Sequence, residues 1–234
     1  MVVAIVPVKK LEEAKRRLSG FLSPLERRQL CLAMLFDVLD NLENVTYIKE
    51  IYIVTPDEQI EAIVHTHYKN VHTIRETGRS NINKALHYAI CYLEKYDISR
   101  ILIIPGDLPL VKTGEIESLI GEAGNTAMTI VPDKICQGTN LLFLKPPFII
   151  QPCFGPNSFH AHIKQAHEKG ISYKVYSTDH LLWDIDYPSD ISTCMYYGYG
   201  TRTYREIFKL GINYRIQSSD FRDISVATFD SVDG

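Results

Sequence analysis

No apolar run in these 234 residues approaches the ~20 needed to cross a bilayer. The N-terminus holds only a short apolar stretch, Val2 to Val8, and its charges follow that stretch. A secretory leader has the opposite order. Cysteine is sparse: Cys31, Cys91, Cys136, Cys153 and Cys194 are an odd number, widely spaced, with no C-x-x-C pair. That usage speaks against a disulfide framework or a zinc site and predicts a reducing, cytoplasmic setting. Neither sign of charge dominates, with 25 Lys and Arg against 28 Asp and Glu for a net −3. Nucleic acid is therefore not expected as the main partner, and no membrane is. There is no G-x-G-x-x-G and no G-x-x-x-x-G-K-[ST], so a dinucleotide dehydrogenase and a P-loop nucleotidase both lack support. No Ser or Cys nucleophile pairs with a recognisable base. His65 with His67, and His160 with His162, stand two apart in helical segments and so on different faces, a poor ligand geometry.

What is present is an alternation of short β-rich runs with amphipathic segments. Residues 2–8, 50–55, 70–74 and 100–106 read as buried strands, being short, rich in Val and Ile and almost free of charge. Ser23-Pro24-Leu25-Glu26 is a helix start, with a Ser cap, Pro at the first helical position and Glu three residues on. Leu30, Met34, Leu35, Val38 and Leu39 then form one stripe. Residues 57–66 and 81–95 read as further helices. This alternation predicts a parallel sheet covered on both faces. After residue 125 the rhythm changes: 126–132 and 139–145 are too close for a crossover helix and are expected to pair antiparallel. A helix (157–169), a strand (172–177), the segment 181–186 and a helix (188–198) follow. The expected fold is α/β, a single-domain, Rossmann-like three-layer arrangement with a mixed, mainly parallel sheet. Residues 1–198 form the domain in this reading, and the polar residues 199–234 are an appended extension that packs on a partner subunit.

Ligands of open α/β sheets bind beyond the carboxyl ends of the parallel strands, and four polar clusters fall there. Five cations between Lys9 and Arg17 follow the first strand and suit a polyphosphate, although such a run is more often a solvated loop. Asp107, in Gly106-Asp107-Leu108-Pro109, sits in a stiff turn after the most apolar strand, where a carboxylate can hold Mg²⁺. Asp184 and Asp186 are two apart, so an extended segment points both to one side. Asp190 reads as a first-turn acid that favours a helix dipole. Gly138-Thr139-Asn140, with Phe154-Gly155-Pro156-Asn157-Ser158-Phe159 opening a helix, offers N–H groups and hydroxyls to an anion. Carboxylates for metal and cations for phosphate fit phosphoryl or nucleotidyl transfer.

These motifs, in this order and beginning with Val6-Pro7-Val8-Lys9 and Ala14-Lys15-Arg16-Arg17-Leu18, resemble the 2-phospho-L-lactate guanylyltransferases of methanogenic archaea. That family makes an intermediate of the deazaflavin coenzyme F-420 and is similar in fold to the molybdenum-cofactor guanylyltransferases. The resemblance runs from residue 2 to about 195. A homodimer is the default expectation for a soluble enzyme, with the segment around Tyr196, Tyr197 and Tyr199 as a contact; the resemblance implies GTP and 2-phospho-L-lactate as substrates and Mg²⁺ as cofactor. It gives catalytic roles to Lys15, Arg17 and Asp107, and the metal to Asp107, Asp184 and Asp186. Pro7, Lys9, Asn83 and Asp107 fall to the nucleotide, and Lys15, Thr139, Gly155 and Ser158 to the acceptor. Asn81 and Asn157 stand where the family usually has Gly. Phosphoenolpyruvate or 3-phosphoglycerate as acceptor, a glycosyltransferase with Asp184-Ile185-Asp186 as its metal motif, and a non-catalytic nucleotide-binding regulator are the alternatives.

Overall fold

In the computed structural model, which describes residues 1–76, 81–96 and 98–218, every residue of the first strand, β1 (Val2–Pro7), is buried. Its side chains alternate between two cores, Val2, Ala4 and Val6 on one side and Val3 and Ile5 on the other. Only a central strand covered on both faces needs such an uninterrupted apolar run.

β1 lies between β2 (Ile48–Thr55) and β4 (Arg100–Ile103), parallel to both, and β3 (Val71–Arg75) extends the sheet beyond β2. On the far side β6 (Thr139–Leu144) runs antiparallel to both β4 and β5 (Met128–Pro132), and β7 (Tyr173–Val175) closes the edge parallel to β5. The seven strands are ordered β3-β2-β1-β4-β6-β5-β7. The antiparallel pair expected at 126–132 and 139–145 is present. The chain winds outward from β1 to β3 and then returns to place β4 on the other side of β1. The carboxyl ends of β1 and β4 therefore diverge into a crevice at the topological switch point.

One core contains α1 (Pro24–Glu43), α2 (Glu58–His67), α4 (Thr113–Ala123) and α6 (Pro188–Tyr197); the other contains α3 (Ile82–Leu93) and α5 (Ser158–Glu168). The start of α1 is the capping box read from the sequence: Glu26 N–H donates to Ser23 Oγ and Ser23 N–H to Glu26 Oε2.

Two elements depart from the expectation. The helix α4 was not read from the sequence, and the strand expected over 100–106 ends at Ile103. Residues 199–218 include two helices of the same fold: α7 (Arg202–Lys209), which lies on α1, and α8 (Ile212–Ser218), which packs against α6 and α7. Asp37 of α1 caps α7, accepting the Arg202 and Thr203 N–H groups at 2.7 and 2.8 Å, while Ile207 and Ile212 join the first core. Tyr196, Tyr197 and Tyr199 remain exposed. Among the described residues no helix is long and apolar enough to cross a membrane.

Candidate active site

The stretch from Lys9 to Leu18 leaves Lys9, Lys10, Arg16 and Arg17 exposed and draws Lys15 inward. It folds into two 3-10 turns, Leu11–Glu13 and Arg16–Leu18, pinned by the buried Leu11 and Leu18. Each burial contributes about 1.5–3 kcal/mol. Asp57, at the carboxyl end of β2, accepts the Leu11 N–H at 2.9 Å and fixes where the first turn begins. Between the turns Lys15 adopts a left-handed backbone, φ 52° and ψ 43°. A non-glycine residue held there costs about 1 kcal/mol or more, and the result is an ammonium directed back into the crevice. Its side chain is only 7% exposed.

Lys15 Nζ stands 2.5 Å from Asp107 Oδ2 and 2.8 Å from Asp186 Oδ1. Arg17 Nη1 reaches Asp186 Oδ2 at 2.5 Å, with its guanidinium over the Tyr187 ring. Asp107 comes from the turn after β4, packed so closely that a side chain on Gly106 would meet Leu35 at 3.0 Å. The Ile185 N–H donates to the Asp107 carbonyl, and Asn140 Nδ2 donates to the Leu181 carbonyl at 3.0 Å. These two bonds draw the segment 181–186 alongside β4 and β6. The residues expected for metal and catalysis, from three distant parts of the chain, meet at one place.

The charges in this cluster are unevenly matched. Burial opposes the charge on Lys15, but Asp107 and Asp186 outweigh it and hold the ammonium above the ordinary lysine value. Burial likewise works against the Asp186 carboxylate, and Lys15 and Arg17 outweigh it and keep its pKa below the usual range. At Asp184 the balance is reversed, and the attraction of Lys15 is outweighed. Burial first, and then the facing charges of Asp107 and Asp186, push it up to about 7. Three carboxylates thus share too little positive charge, and Asp184 carries the shortfall.

Asp190 does more than favour a helix dipole. It is 2% exposed, its Oδ2 accepts the N–H groups of Asp186 and Tyr187 at 2.9 and 2.7 Å, and its Oδ1 pairs with Lys134. It is the peg on which Asp186 hangs. Lys134, which also lies over the Trp183 ring, carried no sequence signal.

The acceptor-side residues line up along the neighbouring edge. Thr139 starts β6, whose antiparallel pairing with β4 brings it beside the Asp107 turn. Ser158 is the first residue of α5, and its Oγ is buried without a partner among the described residues. Gly155 has φ 133°, a backbone that side-chain-bearing residues rarely adopt, and Asn157 is left-handed at φ 58°. Asn tolerates that conformation better than most, so the replacement of the usual Gly is accommodated. Lys9 is exposed and its charge reaches Asp186, and Pro7 ends β1. Asn83 stands in the first turn of α3 and is engaged within the protein. Its amide donates to the Phe154 carbonyl at 2.9 Å and accepts the Phe154 N–H at 2.7 Å, so both its polar atoms fasten the loop before Ser158.

Residues 2–228 match the family model described as guanylyl transferase, CofC-like. The chain belongs to this family. The CofC-like match extends past the limit near residue 195 set by the motifs and takes in α7 and α8. A 2-phospho-L-lactate guanylyltransferase from Methanobrevibacter ruminantium is 34% identical over 93% of this chain and 94% of its own. A phosphoenolpyruvate guanylyltransferase from Sphaerobacter thermophilus is 31% identical over 81% of this chain and 90% of its own. Among solved structures, a candidate nucleotide-diphospho-sugar transferase from Desulfovibrio desulfuricans G20 superposes with a TM-score of 0.76 at 12% identity, covering 92% of this chain and 96% of that one. At that identity the likeness shows the fold alone. Membership of the CofC-like family sets aside the glycosyltransferase alternative.

Proposed function

We propose that the protein joins GTP to 2-phospho-L-lactate, giving lactyl-2-diphospho-5′-guanosine and pyrophosphate. The observation that carries this reading is the meeting of Lys15, Asp107, Asp184 and Asp186 at the switch point of a guanylyl transferase fold. The names of the relatives support the choice of acceptor.

The chemistry needs what this site has. A phosphate monoester is mostly a dianion at neutral pH, with a second pKa of about 6. Its oxygen attacks the α-phosphorus of GTP, a new P–O bond forms, and the bond to the bridging oxygen breaks with its electron pair leaving on pyrophosphate. No proton has to be removed first, so no Ser–His pair is required. The obstacle is repulsion between two polyanions, and Lys15 and Arg17 are placed to reduce it. Both are tied to Asp186, and the phosphates would compete with it for them.

The donor set suits magnesium. The carboxylates are hard oxygen ligands, and the raised Asp184 marks unmet negative charge. Among the described residues there is no ready-made group of three or more metal ligands. Magnesium typically takes one or two protein carboxylates and completes its shell with water and substrate phosphate, which Asp107 with Asp184 or Asp186 can provide. When bound, the ion supplies charge neutralisation on the triphosphate and the leaving group.

The test is Asp107→Asn. It is expected to keep the circular dichroism spectrum of the parent and a cooperative thermal transition while abolishing pyrophosphate release. Near-normal turnover in that variant removes Asp107 from the chemistry. Phosphoenolpyruvate stays as the second acceptor to assay, because relatives at 31 and 33% identity are named for it.

A further inference from the structure

The acceptor side of the site contains a histidine to which neither the motifs nor the family match gives a role. His162, one turn into α5, is 0% exposed. The Cys153 N–H donates to its Nε2 at 2.9 Å, and its Nδ1 lies 3.1 Å from Thr139 Oγ1. The Phe154 ring packs edge-on against it at 5.4 Å. A backbone N–H can only donate, so Nε2 carries a lone pair. Burial keeps the ring neutral, with its pKa pushed down to about 4. In a neutral imidazole the proton is then on the other nitrogen. Nδ1–H therefore donates to the Thr139 hydroxyl oxygen. That hydroxyl cannot return its own proton to the ring, and no other acceptor for it occurs among the described residues.

The same histidine is part of what holds the loop opposite. Cys153 hangs from Nε2, Phe154 hangs from Asn83, and the Phe159 N–H donates to the Gln137 carbonyl two residues before Thr139. Ser158 Oγ, buried and unpartnered, sits within this frame. The start of β6 and the start of α5 are thus joined on both sides of a place where two hydroxyl groups await an acceptor atom.

We propose that His162 is a positioning residue for the acid acceptor: as the Nδ1–H tautomer it makes the Thr139 hydroxyl donate outward to an anionic oxygen of the phosphorylated acid, and through Cys153 it holds the loop that carries Gly155 and Ser158. The inference rests on the guanylyl-transfer reading for the identity of the ligand. It differs from that reading in what it demands of a residue that touches neither substrate.

The experiment compares steady-state constants of the parent, Thr139→Val, His162→Leu, His162→Asn and the Thr139→Val/His162→Leu pair, with pyrophosphate release as the readout. One hydrogen bond to an ionised oxygen alters binding by ~10–100-fold. Thr139→Val and His162→Leu are each expected to raise the KM for 2-phospho-L-lactate by that factor and leave the KM for GTP unchanged. The double variant should be no worse than the weaker single one, because both remove the same interaction. His162→Asn, which keeps an N–H near the Nδ1 position, should recover most of the loss. Equal rises in both KM values, additive losses or no rescue would overturn the proposal. Should the leucine variant fail to fold, long-range ¹H–¹⁵N correlation on the parent decides independently. It is expected to show a protonated Nδ1 and a bare Nε2 at neutral pH, and an Nε2–H tautomer or an imidazolium would overturn the proposal. A parent that releases no pyrophosphate with any acid defeats the guanylyl-transfer reading and this inference with it. A parent that turns over while its Thr139 and His162 variants keep the parental KM defeats the positioning role alone.

Discussion

Lys15→Met removes the one buried cation from the carboxylate cluster and keeps an unbranched side chain of similar length. Lys15 Nζ contacts Asp107 and Asp186 at 2.5 and 2.8 Å, and those acids are 31 and 32% exposed. Breaking a fully buried pair by removing one partner costs about 3–5 kcal/mol. Here water reaches about a third of each acid, so the loss is set lower, at about 2–3 kcal/mol. For a domain of this size that is roughly 5–10 °C in Tm. The left-handed backbone at residue 15 is unchanged by the substitution, so its strain cancels in the comparison. Thermal unfolding followed by circular dichroism, with and without millimolar magnesium, reads the effect. The variant is expected to melt lower without the ion and to regain much of the difference with it, because a cation again stands among the acids. Turnover should stay depressed by ~10²–10³-fold even with the ion, as on removal of one donor that stabilises developing charge. A variant with parental Tm, or one whose turnover magnesium restores in full, would refute the account of Lys15.

Three further outcomes follow from other contacts. Asp37→Ala strands the Arg202 and Thr203 N–H groups at the start of α7. It is expected to lower stability by about 1–3 kcal/mol in urea titration, with turnover well below the transition unaffected. His162 falls from 6.5 to about 4 on folding, so between those values the unfolded chain binds more protons and stability rises with pH. This contribution is complete above about pH 6.5 and is lost toward pH 4, about 3 kcal/mol in all. Urea midpoints across that window should lose most of this slope in His162→Leu. Asn83→Ala frees both polar groups of the Phe154 peptide, and a rise in the KM for the acid larger than that for GTP is expected from initial rates. The reverse order would return Asn83 to the nucleotide.

The centre of the parallel half of the sheet was legible because β1 and most of β4 are buried and read as short, nearly uncharged runs rich in Val and Ile. The helix α4 was not, because its start is signalled from elsewhere. Its cap position is Lys112 with no side-chain bond, and the Thr113 N–H donates instead to Asn41 Oδ1 of α1, 72 residues away. The same holds at α7, where Thr201 supplies a local cap but the charge that docks the helix is Asp37, more than 160 residues earlier. Lys15, Asp107 and the Asp184–Asp186 pair could be read at the ends of strands, since location and residue type agreed. Lys134 and His162 could not, because each owes its role to a partner that only the fold brings near, whereas Asp190 holds the Asp186 and Tyr187 N–H groups four and three residues before it. Asn83 shows the converse: its motif was visible, but the group it holds, the Phe154 peptide, lies 71 residues on.

The most direct test of the central claim is pyrophosphate release from purified protein given magnesium, GTP and, in separate reactions, 2-phospho-L-lactate, phosphoenolpyruvate and 3-phosphoglycerate, with the mass of the product determined. The account predicts release with 2-phospho-L-lactate at the highest kcat/KM and a product carrying guanosine monophosphate joined to the acid's phosphate. Protein that binds GTP and releases no pyrophosphate with any of the three acids would contradict it.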